Sequence, residues 1–85
     1  MEQSWEVHIN GVESFINVFS DAESLSSWLQ TAKGFGGIVV FSNTDTWAIS
    51  LESDGPAKAR SKRLATEIGR KLYADWNSSI RTIGT

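Results

Sequence analysis

The residues best suited to proton transfer are His8, the only histidine of the chain, and Glu13. Imidazole titrates near neutral pH, so a histidine oriented by a carboxylate can act as a general acid or base. Covalent catalysis would also need an activated nucleophile, yet the chain has no cysteine and no serine in a nucleophile-elbow sequence. We therefore interpret His8 and Glu13 as a surface pair on a strand, and not as catalytic groups.

Other motifs that carry chemistry are also missing from the sequence. It contains no P-loop and no D-x-[DN]-x-[DN]-G calcium loop. One histidine without cysteine leaves no zinc site of the usual composition. These exclusions predict a protein that is not an enzyme and that holds no cofactor and no metal ion.

The densest group of charges lies in a segment that starts as a helix would. Proline at position 56 suits the first helical position, and cations follow it closely in the sequence. The N-terminus is the positive end of a helix dipole, so cations there slightly oppose helix formation. Folding therefore does not explain the cations of the first two turns, and we take them, together with Arg70 on the same helix, as candidate partner-binding residues: Lys58, Arg60, Lys62, Arg63 and Arg70.

Charge is divided unevenly along the chain. Residues 1–55 contain eight acidic residues and one basic residue, whereas residues 56–85 contain seven basic and two acidic residues. A basic helix on an acidic body can attract an acidic protein or the phosphates of a nucleic acid. The pI of about 5.2 favours the protein, because nucleic-acid-binding domains usually have a pI above about 9. Nucleic-acid binding by this helix is the alternative.

Two hairpins are expected to position these groups. Asn10-Gly11 separates two alternating runs and predicts a two-residue turn that pairs Ile9 with Val12. A second hairpin is expected around residues 43–45. Its inner face is predicted to carry Val39, Phe41, Trp47, Ile49 and Leu51.

Two helices complete the pattern. Ser20 and Glu23 form a predicted capping box before the first helix, which Gly34 can end in the left-handed conformation. The second helix is expected to begin at Pro56, with Gly55 or Asp54 as its cap. The sequence leaves residues 78–85 as either a short last strand or a docked end.

The predicted fold is a small two-layer α+β domain of residues 1–85. It has an antiparallel sheet built from two hairpins, in the order β-β-α-β-β-α with room for a short last strand, and both helices on one face. Setting the first strand aside leaves the order β-α-β-β-α-β of ferredoxin-like domains, which is the alternative.

The face without helices is expected to be partly apolar. With the predicted register it shows Phe15 and Phe19, together with Ile38, Val40 and Ala48. An apolar patch rimmed by polar groups marks an interface, so this face could bind a protein or a second copy of the chain. Phe35, between glycines, is either a binding tip or the hydrophobic contact that ends the first helix.

These features together favour a binding protein. The longest apolar run, residues 38–41, is far short of the roughly 20 residues that span a membrane, and residues 1–6 do not resemble a secretory signal. We expect a small, cytoplasmic, non-catalytic domain that docks on a macromolecule, most simply a protein. A stoichiometric inhibitor or adaptor, of the kind that mobile genetic elements encode, fits this description.

Overall fold

The computed structural model describes residues 3–85, which form a five-stranded antiparallel sheet with two helices. The strands follow the order β1-β2-β4-β3-β5 across the sheet. The predicted α+β class and element order are confirmed, and residues 78–85 contain the short last strand. In chain order the elements are β1 (Gln3–Ile9), β2 (Val12–Val18), α1 (Ala22–Gly34), β3 (Ile38–Ser42), β4 (Trp47–Leu51), α2 (Ala57–Asp75) and β5 (Ile80–Ile83).

The first hairpin has the predicted turn and register. Asn10 and Gly11 have φ of 51° and 79°, as a type I′ turn requires at both central positions. Ile9 lies opposite Val12, and the pairing continues along all seven residues of both strands. The turn thus fixes which side chains of β1 and β2 share a face.

The helices lie on opposite faces of the sheet, so the prediction of one shared face is wrong. The fully buried strand β3 shows this directly, because successive side chains of a strand point to opposite faces. Ile38 and Val40 pack in one core with Leu64 of α2. Val39 and Phe41 pack in a second core with Leu25 and Leu29 of α1.

The strand order explains this arrangement. Helix α1 leads from β2 to β3 across β4, and α2 leads from β4 to β5 across β3, so both connections step in the same direction across the sheet. They start from antiparallel strands, and right-handed crossovers are strongly favoured. Two such crossovers must then lie on opposite faces. In the ferredoxin-like alternative the last strand would join β2, but β1 already occupies that edge.

The second hairpin differs from the prediction by one residue. Ser42 lies opposite Trp47, so the connection has four residues and not three. Thr46, with φ of 54°, is held outside the ladder: its carbonyl accepts from the Phe19 N–H at 2.9 Å, and its hydroxyl donates to the Phe19 carbonyl at 3.0 Å. As a result Val39 and Phe41 lie on the face opposite to Trp47, which corrects the predicted inner face.

The ends of α1 also differ from the prediction. The Asp21 carboxylate caps the helix by accepting from the Ser24 N–H at 2.7 Å, in place of a Ser20–Glu23 box. Gly34 is the last helical residue, and Gly36, with φ of 74°, supplies the left-handed conformation. Helix α2 has no side-chain cap, and Pro56 precedes its first residue.

A polar cluster joins the β3–β4 turn to the loop after α2. The Asn77 amide donates to the Thr44 hydroxyl at 2.8 Å and to the Asp45 carboxylate at 3.0 Å. Thr44 and Ser79 share a hydroxyl hydrogen bond at 2.9 Å, and the Asn77 side-chain oxygen accepts from the Ser79 N–H at 2.9 Å. These bonds hold the chain where it leaves α2 and enters β5.

Within residues 3–85, neither α1 nor α2 combines the length and the apolar character that a membrane crossing requires.

Candidate functional site

An open groove lined by apolar side chains lies beside the C-terminal half of α2. Strands β2 and β4 form its floor and α2 forms one wall, and its volume is about 360 Å³. We call this feature the apolar groove. Its lining residues are Ile16, Val18, Trp47, Ile49, Leu72 and Trp76.

The groove exists because α2 packs off the centre of the sheet. The helix lies mainly on β3 and β5, and Gly69 permits the close approach, since a Cβ there would lie 2.8 Å from the Thr82 methyl carbon. Strands β1 and β2 extend beyond the helix on the same face. Their apolar side chains are therefore only partly covered, as Ile16 and Val18 show.

Two stacked tryptophans close one end of the groove. The rings of Trp47 and Trp76 have centroids 5.7 Å apart and planes inclined by 18°. Trp76 is 61% exposed. The Trp47 indole nitrogen is buried and has no hydrogen-bond partner among residues 3–85. A buried donor without a partner is unfavourable, so stacking and apolar contacts must hold this side chain in place.

A third tryptophan extends the apolar surface toward the edge of the sheet. Trp5 of β1 lies directly opposite Ile16, is 47% exposed and shares the α2 face by strand alternation. Val7, two residues along β1 on the same face, is half-buried. The apolar surface thus runs from α2 to the free edge of β1.

The sequence reasoning missed this groove because it assigned Trp76 to the helix core and Trp5 to the covered sheet face. The available signal was the number of large aromatic side chains. Four tryptophans in 85 residues exceed what one small core readily encloses. Trp47 and Trp76 stack at the groove, and Trp5 lies half exposed on the same face of the sheet.

The predicted apolar face without helices is not found as predicted, because α1 covers much of it. Phe19 is 3% exposed and packs on Trp28 with ring centroids 5.6 Å apart. Ile38 and Val40 lie on the other face under α2, and Ala48 is buried beneath α1. Phe15 alone of the two predicted phenylalanines remains on the surface, 39% exposed.

Phe15 borders a second cavity, of about 380 Å³, between β2, β4 and α1. Trp28 of α1 lines the same cavity, and three carboxylates surround it on strand ends and the following loop. A cavity with aromatic walls and an acidic rim suits a cationic side chain of a partner. The three carboxylates belong to Glu13, Glu52 and Asp54.

Phe35 is 85% exposed in the connection between α1 and β3. Its backbone N–H is hydrogen-bonded at the helix end, where it donates to the carbonyls of Thr31 and Ala32. The side chain makes no buried contact that would end α1, so the helix-ending interpretation is wrong. Phe35 lies away from the apolar groove, because α1 is on the opposite face.

The five candidate cations of α2 are all exposed, as a surface role requires. Arg70 borders a cleft of about 530 Å³ between α2 and β5, together with Tyr73 and Arg81. Sequence reasoning did not single out Arg81, because the path of residues 78–85 was open. The remaining four, Lys58, Arg60, Lys62 and Arg63, lie nearer the start of α2.

His8 and Glu13 lie opposite one another in the first hairpin, as the register predicts. With Glu6 they form a group whose ligand atoms lie within 4.8 Å of one another. One imidazole and two carboxylates are a donor set that divalent transition metals accept. All three side chains are exposed, so the strand face, and not a packed shell, determines their positions.

Comparison with protein-family models, with curated proteins and with solved structures found no match to this chain. Function must therefore be inferred from the geometry of the surface.

Proposed function

We propose that this protein is a small non-catalytic domain that binds another protein through the apolar groove. A stoichiometric inhibitor or adaptor, of the kind encoded by mobile genetic elements, is the class that it fits best. The observation that carries the proposal is the exposed ring of Trp76, which stacks on the partly buried Trp47.

Tryptophan is the side chain most enriched at the centres of protein interfaces, where it supplies a large apolar contact. Leaving the Trp76 ring 61% exposed is unfavourable for an isolated domain unless a partner covers it. The groove beside Trp76 is open and is lined by apolar side chains, so it suits an apolar side chain of the partner. Binding there would remove water from the exposed Trp76 ring.

The surroundings of the groove suit docking better than chemistry. Its six lining residues provide no carboxylate, imidazole or hydroxyl. Its floor is a paired strand region, β2 with β4, which is a rigid support that loses little conformational freedom on binding. The exposed cations of α2 lie on the same side of the sheet without lining the groove, and they would favour a partner with an acidic surface.

The proposal is tested by comparing two variants, one within α2 and one at the residue that directly follows it. Trp76→Ala removes a wall of the groove, whereas Tyr73→Ala removes an exposed ring of the same helix region that does not line the groove. A partner is first captured from the native cell by the unaltered protein and identified. Its affinity for each purified variant is then measured by calorimetry.

We expect Trp76→Ala to weaken the complex at least about 30-fold, the size of an interface hot spot. Tyr73→Ala should bind as the unaltered protein does. Equal affinity of all three proteins for the partner would contradict docking through the groove.

A second candidate function is nucleic-acid binding by α2. The observation that favours it is the cleft in which Tyr73, 53% exposed, lies with Arg70 and Arg81. An aromatic ring and two cations that line the same cleft suit stacking of a base and contacts to its phosphates. Binding of unrelated DNA and RNA oligonucleotides, titrated with salt, distinguishes this function. A salt-dependent affinity lost in Arg70→Glu would support it, and no binding at low salt would exclude it.

A further inference from the structure

The free edge of β1 offers a second, independent contact surface. Within residues 3–85, β1 is paired only with β2 and forms one edge of the sheet. It is seven residues long and contains no proline, glycine or lysine, the devices that usually protect an edge strand. We propose that two copies of this chain associate through β1, antiparallel, with Val7 opposite Val7 of the second copy. This inference does not rest on the proposed function.

The hairpin determines which backbone groups of β1 are free. In a two-residue hairpin the residues next to the turn, Ile9 and Val12, form a hydrogen-bonded pair. Backbone groups then alternate along β1, so the odd-numbered residues bond to β2. Those of Ser4, Glu6 and His8 point away from the sheet. A second strand must form its backbone hydrogen bonds with even-numbered positions of β1.

Any symmetric register centred on one residue of β1 meets this condition, so side-chain pairs must distinguish among these registers. Placing Glu6 opposite itself in the second copy brings two carboxylates together, which is unfavourable on adjacent strands. Placing Trp5 opposite itself puts Ser4 against Glu6 and Val7 against Gln3, so an apolar side chain meets a polar one. Neither arrangement gives favourable side-chain pairs on both faces of the sheet.

The register centred on Val7 gives favourable side-chain pairs on both faces of the sheet. On one face Glu6 of each copy lies opposite His8 of the other, which allows a hydrogen bond or an ion pair twice. On the other face Trp5 lies opposite Ile9, and Val7 lies opposite Val7. Opposite-charge pairs and aromatic–aliphatic pairs each stabilise adjacent strands. Charge and apolar character therefore select one register.

The resulting dimer has a two-fold axis perpendicular to the sheet. Its sheet has ten strands, and both α2 helices lie on the same face because the two β1 strands are coplanar. Trp5, 47% exposed in one chain, is covered by the second copy. The two apolar grooves remain open on either side of the new contact, so a dimer can still bind partners.

Sedimentation of the whole chain, from micromolar to millimolar concentration, tests the dimer. Glu6→Pro removes an N–H that the second strand needs but that β2 does not use, and proline is tolerated at such edge positions. Glu6→Gln keeps the N–H and is the matched control. Far-ultraviolet circular dichroism and the thermal midpoint establish that each variant is folded.

A charge exchange tests the register without relying on proline. Glu6→Lys places a cation opposite His8 and should raise the dimer dissociation constant by about tenfold. The double variant Glu6→Lys, His8→Glu places a lysine opposite a glutamate at both positions and should recover most of that loss. In the register with Glu6 opposite itself, the double variant would leave two lysines together and recover nothing.

We expect a monomer–dimer equilibrium that Glu6→Pro abolishes and Glu6→Gln largely retains. A protein that stays monomeric up to millimolar concentration would overturn the proposal. So would a dimer that survives Glu6→Pro but is lost in Trp76→Ala, since that result places the second copy on the apolar groove. Failure of the double variant to recover association would likewise overturn the Val7-centred register.

Discussion

The indole of Trp76 lies on the indole of Trp47, with ring centroids 5.7 Å apart and planes inclined by 18°. Trp76 directly follows α2 and its N–H donates to the Leu72 carbonyl at 2.9 Å. The stack therefore attaches the end of α2 to β4 over a long separation in the sequence. It also forms part of the surface that we propose to bind a partner, so this one contact contributes both to the stability of the fold and to the proposed binding.

Trp76→Ala should lower the free energy of unfolding by about 1–2 kcal/mol, because a stacked pair contributes about 0.5–1.5 kcal/mol beyond the area that it buries. Urea unfolding followed by circular dichroism measures this change. Trp76→Phe keeps an aromatic ring on Trp47 and should recover most of the loss. A variant with alanine that is as stable as the unaltered protein would show that the stack does not hold α2.

Asn77→Ala should destabilise the fold through the polar cluster. The Asn77 amide donates to Thr44 at 2.8 Å and to Asp45 at 3.0 Å, and each such bond contributes about 0.5–1.5 kcal/mol net. We expect a loss of about 1–2 kcal/mol in urea unfolding, less than two full bonds because the site is exposed to water. Ser78→Ala, at the next exposed residue, is the control and should change little.

Asp21 should make the stability of α1 dependent on pH. The Ser24 backbone N–H, with the Ser24 hydroxyl second, holds the pKa of the Asp21 carboxyl below its usual value. A lowered pKa in the folded state means that the carboxylate stabilises the fold at neutral pH. That contribution is lost as the pH falls through the lowered pKa.

The measurement compares the thermal midpoint of the unaltered protein with that of Asp21→Asn between pH 7 and pH 2. Asparagine retains a cap but does not titrate. We expect the unaltered protein to be the more stable of the two at pH 7, and the difference to narrow below the usual pKa of aspartate. A difference that stays constant with pH would contradict a titrating cap.

Two glycines at the end of α1 should respond in opposite directions to alanine. Gly34 is helical and has open space around a Cβ position, so Gly34→Ala should stabilise the fold by about 0.4–1 kcal/mol. At Gly37 a Cβ would lie 2.9 Å from the Ala32 carbonyl oxygen, which is backbone and cannot move aside. Gly37→Ala should therefore destabilise the fold by about 1–3 kcal/mol, as overpacking does. Paired thermal unfolding of both variants checks the signs.

Local signals in the sequence predicted the elements well, because their causes are local. The Asn10-Gly11 turn determined the register of the first hairpin, down to the pairing of Ile9 with Val12. The second hairpin failed by one residue, since its four-residue connection is held by a contact of Thr46 with Phe19. Those two residues are distant in the sequence, and no short sequence pattern predicts their contact.

The faces of the sheet were harder to predict than its strands. The position of α1 depends on which edge β5 joins, and that in turn depends on the place that β1 occupies. This one topological choice moved Phe19 into a core and left Trp5 at the surface. The exposure of the candidate cations could be predicted without knowing the strand order, because the periodicity of one helix already places them on its outer side.

The position of β3 also has a consequence for the order in which the chain can fold. Its residues Ile38 to Phe41 are buried on both faces, and one of its two strand neighbours is β5, some forty residues later. Until residues 80–83 leave the ribosome, the most apolar strand of the sheet has an unpaired edge, a state prone to aggregation. Synthesis therefore passes through an interval in which this strand needs shielding, and pairing with residues 80–83 ends that interval.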